Sequence, residues 1–151
     1  MRKTVLASTL TAVVLMWGAA SASAQSFGTA AEAKAMLEKG VAAVKANKAA
    51  AIADFNKSPG PFRDRDLYVF CYNTSDGKFT AHPNPALMNT DIRALKVKDD
   101  PLGQRIWDTA KPGAIATVAY NFPKPGTTDP VPKESFVTQV GDQGCGVGYY
   151  K

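Results

Sequence analysis

Nineteen residues, DLYVFCYNTSDGKFTAHPN at positions 66–84, constrain the fold more than any other stretch of this chain. Residues 67–72 are rich in β-branched and aromatic side chains, which suit a pleated, half-buried surface. Ser75, Asp76, Gly77 and Lys78 supply a turn, with Gly77 free to take a positive φ and close a hairpin. Phe79, Thr80 and Ala81 return. His82-Pro83-Asn84-Pro85 then ends the pairing, because proline has no N–H to donate. The stretch holds the only histidine and one of the two cysteines. A binding site, if the chain has one, is expected to draw on it.

The N-terminus reads as a targeting segment. Arg2 and Lys3 precede an uncharged, apolar run over 5–20, and Ala22-Ser23-Ala24 is a small-x-small cleavage pattern. The expectation is a signal peptide over 1–24, a mature chain of 25–151 and export to the periplasm; the competing reading is an uncleaved anchor. Removing Arg2 and Lys3 from 18 basic residues leaves 16 against 13 acidic ones, a net charge of +3. The basic residues are scattered, so no nucleic-acid stripe is expected. The 127 residues of the mature chain make one domain with a core of its own. One histidine, no cysteine pair at ligand spacing and no clustered carboxylates speak against a metal site. Neither cofactor nor metal is expected. Two cysteines in an exported chain favour one disulfide.

Thr29 and Glu32 match a capping box, and the alanine-rich segment behind them favours helix. Ala33, Met36, Leu37, Val41 and Val44 fall at helical spacing. A helix over about 29–57 is predicted, with Asn47 placed to break or re-cap it. Residues 86–98 read as a helical turn near 85–88 and an irregular or short extended piece around 92–97. Asp100 and Pro101 are predicted to open a second helix as N-cap and N1. Strands are predicted over 114–122, 134–140 and 145–150, with a proline-rich loop at 123–132 and a tight turn at 141–144. Three consecutive strands on short connections imply an antiparallel meander. The fold class is therefore α+β: a five-stranded antiparallel sheet, a long N-terminal helix, and a second helix between strands two and three.

The ordered segments DLYVF, G-x-x-x-A-H-P-N-P-A-L from Gly77, P-K-x-S-F-V from Pro132 and the terminal GVGYYK resemble the single Cache domains of exported bacterial proteins, the single Cache domain 2 type. The resemblance covers about 25–151. It implies a PAS-like sensory fold with a small-molecule pocket on one side of the sheet, often for carboxylates or amino acids. Many such domains belong to chemoreceptors and histidine kinases. This chain shows no membrane helix or signalling module after the domain. It is thus expected to act as a free periplasmic version that captures a ligand, or presents one to a membrane sensor or transporter, without chemistry of its own. A homodimer through the N-terminal helix is a further expected partnership. In the resembled fold the first and last strands are neighbours, which would let Cys71 and Cys145 bridge.

Candidate ligand contacts follow from residue chemistry. His82 can donate and accept, or it can hold its corner by bonding to backbone. Lys133 can pair with a carboxylate, or be a solvated lysine at a strand start. Arg105 offers a bidentate fork, or a surface ion pair with Asp100 or Asp108. Tyr68, Phe70 and Tyr72 alternate onto one face of the first strand, with Val69, Cys71 and Asn73 on the other. With Trp107 and Tyr120 they are pocket walls or ordinary core. No catalytic residue is expected, since nothing around His82 suggests a nucleophile–base arrangement. Gly144, Gly146 and Gly148 precede no helix and so form no phosphate loop; they point to close packing along the last strand. Two readings stay open: a binding module for a small organic acid or amino acid, and a docking protein with no ligand of its own.

Overall fold

The computed structural model describes residues 26–151, so the signal-peptide and cleavage readings lie outside the described residues. The capping box forms. Thr29 Oγ1 accepts the Glu32 amide at 3.2 Å, and Glu32 Oε2 accepts the Thr29 amide at 2.7 Å. Helix α1 (Ala30–Ala46) starts there and ends at Asn47. Asn47 is extended, with φ −159°, and its side chain caps α2 (Lys48–Phe55) by accepting from the Ala50 amide. One residue thus closes one helix and opens the next, as its position in the sequence suggested. No described helix is long and apolar enough to cross a membrane.

The sheet is antiparallel throughout. Its strands are β1 (Arg63–Asp64), β2 (Leu67–Asn73), β3 (Phe79–Ala81), β4 (Ala116–Pro123), β5 (Pro130–Val140) and β6 (Gln143–Tyr150). The order is β1-β2-β6-β5-β4, with β3 also pairing β2. The five predicted strands are all present, and the two-residue β1 adds a sixth. Strands β2 and β6 are neighbours in the middle, in a register that sets Cys71 opposite Cys145. The two cysteines form a disulfide.

Each face of the sheet buries a separate cluster. Leu67, Val69, Cys71, Cys145 and Val147 point toward α1, meeting Ala33, Leu37 and Val44. Phe70 and Tyr72 point the other way, toward Phe79, Ile92, Leu102 and Ile106. The period-two alternation of β2 therefore divides the core into two layers, with the sheet between them.

Of the two readings for 92–97, the irregular one is found: Ile92–Ala94 is a 3-10 turn, opened by the Asp91 carboxylate accepting the Arg93 amide, and it buries Ile92 completely. Three details differ from expectation. Helix α3 (Leu102–Thr109) has Pro101 rather than Asp100 at its N-cap, without a side-chain capping bond. The Asp100 carboxylate is taken by Arg105 instead, at 2.8 and 2.9 Å. Strand β5 starts at Pro130, leaving a loop of only 124–129. Its two prolines lie beyond the end of β6, where β5 pairs only with β4, so their missing N–H groups cost no bond to β6. Finally, the β5–β6 turn is two residues, with Gly141 at φ 58°, because Gln143 already belongs to the sheet.

Candidate functional site

Strand β6 presents glycine at 144, 146 and 148 to the face away from α1. A Cβ at Gly144 would collide with the Tyr72 ring, and one at Gly146 would stand 2.5 Å from Phe70 Cζ. At Gly148 it would stand 2.7 Å from Ser135 Oγ, 2.9 Å from Lys133 Cε and 3.0 Å from the Tyr120 hydroxyl oxygen. Aromatic side chains of β2 and β4 can lie across β6 only because this strand is bare. Beside the side chains that cover Gly146 and Gly148 is a cavity of about 40 Å³. Its walls are Tyr68, Phe70, Phe79, His82, Tyr120, Phe122 and Lys133, and its roof is Leu87, Ile92, Leu95, Leu102 and Ile106.

Lys133 is the one formal cation among these lining residues. It is 3% exposed. Its ammonium lies 4.4 Å from the Tyr150 ring centre, 5.3 Å from Phe122 and 5.4 Å from Tyr68, an aromatic box that stabilises a cation without neutralising it. Among the described residues it has neither a hydrogen-bond nor an ion-pair partner. Desolvation pushes its pKa down to about 8, against a smaller opposing pull from Asp66. At neutral pH a charged amine thus remains inside an apolar box.

His82 holds its corner through backbone, and its ring also faces the cavity. Its Nδ1 accepts the Asn84 amide at 2.9 Å, which holds the corner and leaves Nε2 as the protonated nitrogen of the neutral ring. The ring also lines the cavity, edge-on to Tyr68 and Phe79 at about 5.5 Å. Burial, with the Lys133 and Arg63 charges, pushes its pKa down to about 4, so it is neutral at pH 7. The Tyr68 phenol is pushed well above its usual range, mainly by desolvation. Tyr120 shares a 2.8 Å hydrogen bond with Ser135, and burial raises its pKa to about 12. Tyr150 donates to the Pro123 carbonyl at 2.6 Å, which fixes its ring against Lys133.

Five of the eight predicted ligand contacts, Tyr68, Phe70, His82, Tyr120 and Lys133, meet at this cavity. Tyr72, Trp107 and Arg105 do not line it. The Tyr72 ring lies across Gly144 beside Trp107, at 5.5 Å, and its hydroxyl is buried without a partner. Trp107 carries the Arg93 guanidinium over its face at 4.7 Å. Arg105 is held by Asp100 and by the Ala119 carbonyl at 2.6 Å, which is the surface-pair reading. No group of three or more metal-ligating side chains gathers among the described residues.

The family model described as single Cache domain 2 matches residues 3–149. The chain belongs to that family. Three solved structures are similar to it in fold. A methyl-accepting chemotaxis protein from Vibrio parahaemolyticus RIMD 2210633 is 25% identical, with a TM-score of 0.63 over 80% of this chain and 86% of that one. The periplasmic sensor domain of a chemotaxis protein is 27% identical, with a TM-score of 0.59 over 80% and 88%. A Cache chemosensory domain described for carboxylic acid recognition is 21% identical, with a TM-score of 0.53 over 80% and 86%, a likeness of fold alone. No curated protein matches the chain.

The wall residues of this Cache domain that sequence reasoning missed are Phe79, Phe122 and the roof aliphatics. Leu102 and Ile106 were legible as one face of α3, but not as a roof. Nothing in the sequence marks Leu87, Ile92 and Leu95 as its other half, because they lie in irregular backbone without periodicity.

Proposed function

We propose that this Cache domain is a periplasmic, non-catalytic sensory module that binds a short monocarboxylate on Lys133. One observation carries the reading: a buried lysine without a carboxylate partner faces a cavity otherwise walled by apolar and aromatic groups. A buried, uncompensated charge is costly, and a ligand carboxylate would compensate it. The cavity argues for one class within the organic acids and amino acids. Its lining residues include no aspartate or glutamate to receive an α-ammonium, so an amino acid would bury its ammonium unpaired. A second carboxylate would lack a cation in the same way. A volume of about 40 Å³ admits roughly three water positions, the space for an acid of two or three carbons. The solved Cache chemosensory domain described for carboxylic acid recognition agrees in ligand chemistry. Export through a signal peptide over 1–24 and delivery to a membrane sensor or transporter complete the proposal.

The test is a thermal-shift titration of residues 25–151 with acetate, propionate, alanine and succinate. A ligand that binds only the folded state raises the unfolding temperature with concentration. Propionate or acetate should do so, alanine and succinate should not, and Lys133→Met should abolish the shift. Equal stabilisation by alanine, or a propionate shift that survives in Lys133→Met, overturns the assignment.

A further inference from the structure

Lys133 and Ser135 stand two residues apart on one face of β5, and both are buried. Lys133 lines the cavity. Ser135 does not, and it is 0% exposed. Its hydroxyl has one hydrogen-bond partner among the described residues, the Tyr120 hydroxyl at 2.8 Å. Tyr120 lines the cavity, and the β4–β5 register sets it directly opposite Lys133. All three side chains meet at the place that a Gly148 Cβ would take: Lys133 Cε, Ser135 Oγ and the Tyr120 hydroxyl oxygen each lie within 3.0 Å of it. Two hydroxyls that share one hydrogen bond have one hydrogen left over. If Tyr120 donated to Ser135, the spare hydrogen would be that of Ser135, sealed where it has no second partner, and buried polar groups are rarely left so. If Ser135 donates to Tyr120, the spare hydrogen belongs to a residue that faces the cavity, where a ligand oxygen can accept it.

We propose that Ser135 is a positioning residue of the anion site: by donating to the Tyr120 oxygen it turns the Tyr120 hydroxyl hydrogen toward one oxygen of a carboxylate whose other oxygen rests on the Lys133 ammonium. The carboxylate is then held by two donors on adjacent strands, one charged and one neutral. Lys133 supplies attraction from any direction, because an ammonium is a point charge with rotatable donors. Tyr120 supplies direction, because its ring is packed and its hydroxyl is tied to Ser135. A hydroxyl that receives a hydrogen bond also gives a stronger one. Ser135 therefore acts on the ligand without touching it.

The inference rests on the monocarboxylate reading and deepens it, and calorimetric titration with propionate keeps the two separable. In Tyr120→Phe, which retains the ring, affinity should fall at least about tenfold, the worth of a hydrogen bond to a charged group. In Ser135→Ala it should fall about threefold, the share that a received bond adds to a given one. Ser135→Ala made in the Tyr120→Phe protein should change nothing further, because the hydroxyl it acts through is gone. Affinity that is unchanged by Ser135→Ala, or weakened equally in both backgrounds, overturns the proposal. The carboxyl signal of ¹³C-labelled propionate reports the bond itself. Its bound position should move in Tyr120→Phe, and in the same direction by less in Ser135→Ala. A bound position indifferent to Ser135→Ala overturns the proposal even where affinity falls, since loosened packing alone would produce that result. If propionate does not bind the unsubstituted protein, the monocarboxylate reading and this inference fall together. Binding that is lost in Lys133→Met but tolerates Tyr120→Phe removes this inference alone.

Discussion

Replacing Lys133 with methionine should stabilise the protein while removing its proposed ligand. The lysine's folded-state pKa is about 8, against 10.5 for the free side chain. That difference corresponds to about 3 kcal/mol of cost for a buried ammonium at pH 7. Three aromatic rings face the ammonium, each worth about 0.5–1 kcal/mol, and they offset part of the cost. Methionine keeps the stem length and loses the charge. The net gain at pH 7 is then about 1 kcal/mol, or roughly 3–5 °C in unfolding temperature for a domain of this size. The pH dependence isolates the cause. Between pH 8 and 9.5 the unfolded chain retains a proton that the folded chain has released, so stability should rise with pH by up to about 1 kcal/mol, the net cost that is relieved. The Lys133→Met protein should lack this rise. Above about pH 10 the slope reverses, because the buried tyrosines resist ionisation in the folded state. Urea unfolding of both proteins at pH 7, 8, 9 and 9.5 measures all of this. A Lys133→Met protein less stable at pH 7, together with a flat profile for the unsubstituted protein, would refute the claim that the amine is buried against its own preference.

Acidification tests His82 in the opposite range. Its pKa is near 4 when folded against 6.5 when free, so stability is intact above pH 6.5 and is lost as pH falls toward 4. The loss should be about 1–3 kcal/mol by urea unfolding and absent in His82→Phe. Gly148→Ala should displace Lys133 or Tyr120 and weaken propionate binding at least about tenfold by calorimetry, in a protein that still unfolds cooperatively. Arg105→Ala should leave propionate affinity unchanged and cost at most about 1 kcal/mol, since its pair with Asp100 is partly exposed. Cys71→Ala with Cys145→Ala should lower stability by up to about 4.5 kcal/mol, the chain-entropy value for a link spanning 74 residues, measured against the oxidised protein in urea.

What could be read from the sequence follows the range over which its signals act. Caps are local: Thr29 with Glu32, and Asn47, mark the first two helices through contacts three residues long, and both readings hold. Strand alternation is also local, so Tyr68, Phe70 and Tyr72 were placed on one face before their surroundings were known. Where two local options compete, the structure decides by partnership. Asp100 is a good cap by type, but it binds the guanidinium of Arg105 instead. The proline-rich residues 130–132 look like loop, yet they pair with β4 because β6 has already ended. Tyr68, Phe70, His82, Tyr120 and Lys133 of the wall were legible, four of them on strands, while Phe79 and Phe122 were not. The roof comes from residues 87–106, whose order depends on three-dimensional closure more than on any periodic pattern. The alternatives weighed for Arg105 and Lys133 could not be separated by residue type, because both are cations near strands or helices. Burial separates them.

The cavity rests on side chains that lie over a bare strand, and this gives the mutability of that strand a direction. At 144, 146 and 148 there is no side chain to shorten, so every substitution adds volume on that side and none removes it. Substitutions there push on Tyr72, Phe70, Lys133 or Tyr120 and open no space of their own. Enlargement has to come from the opposite wall, where Leu87, Leu95 and Ile106 each have carbons to lose. A shift toward longer acids in this protein would therefore begin in the segment with the least regular backbone, and the sheet would remain unchanged beneath it.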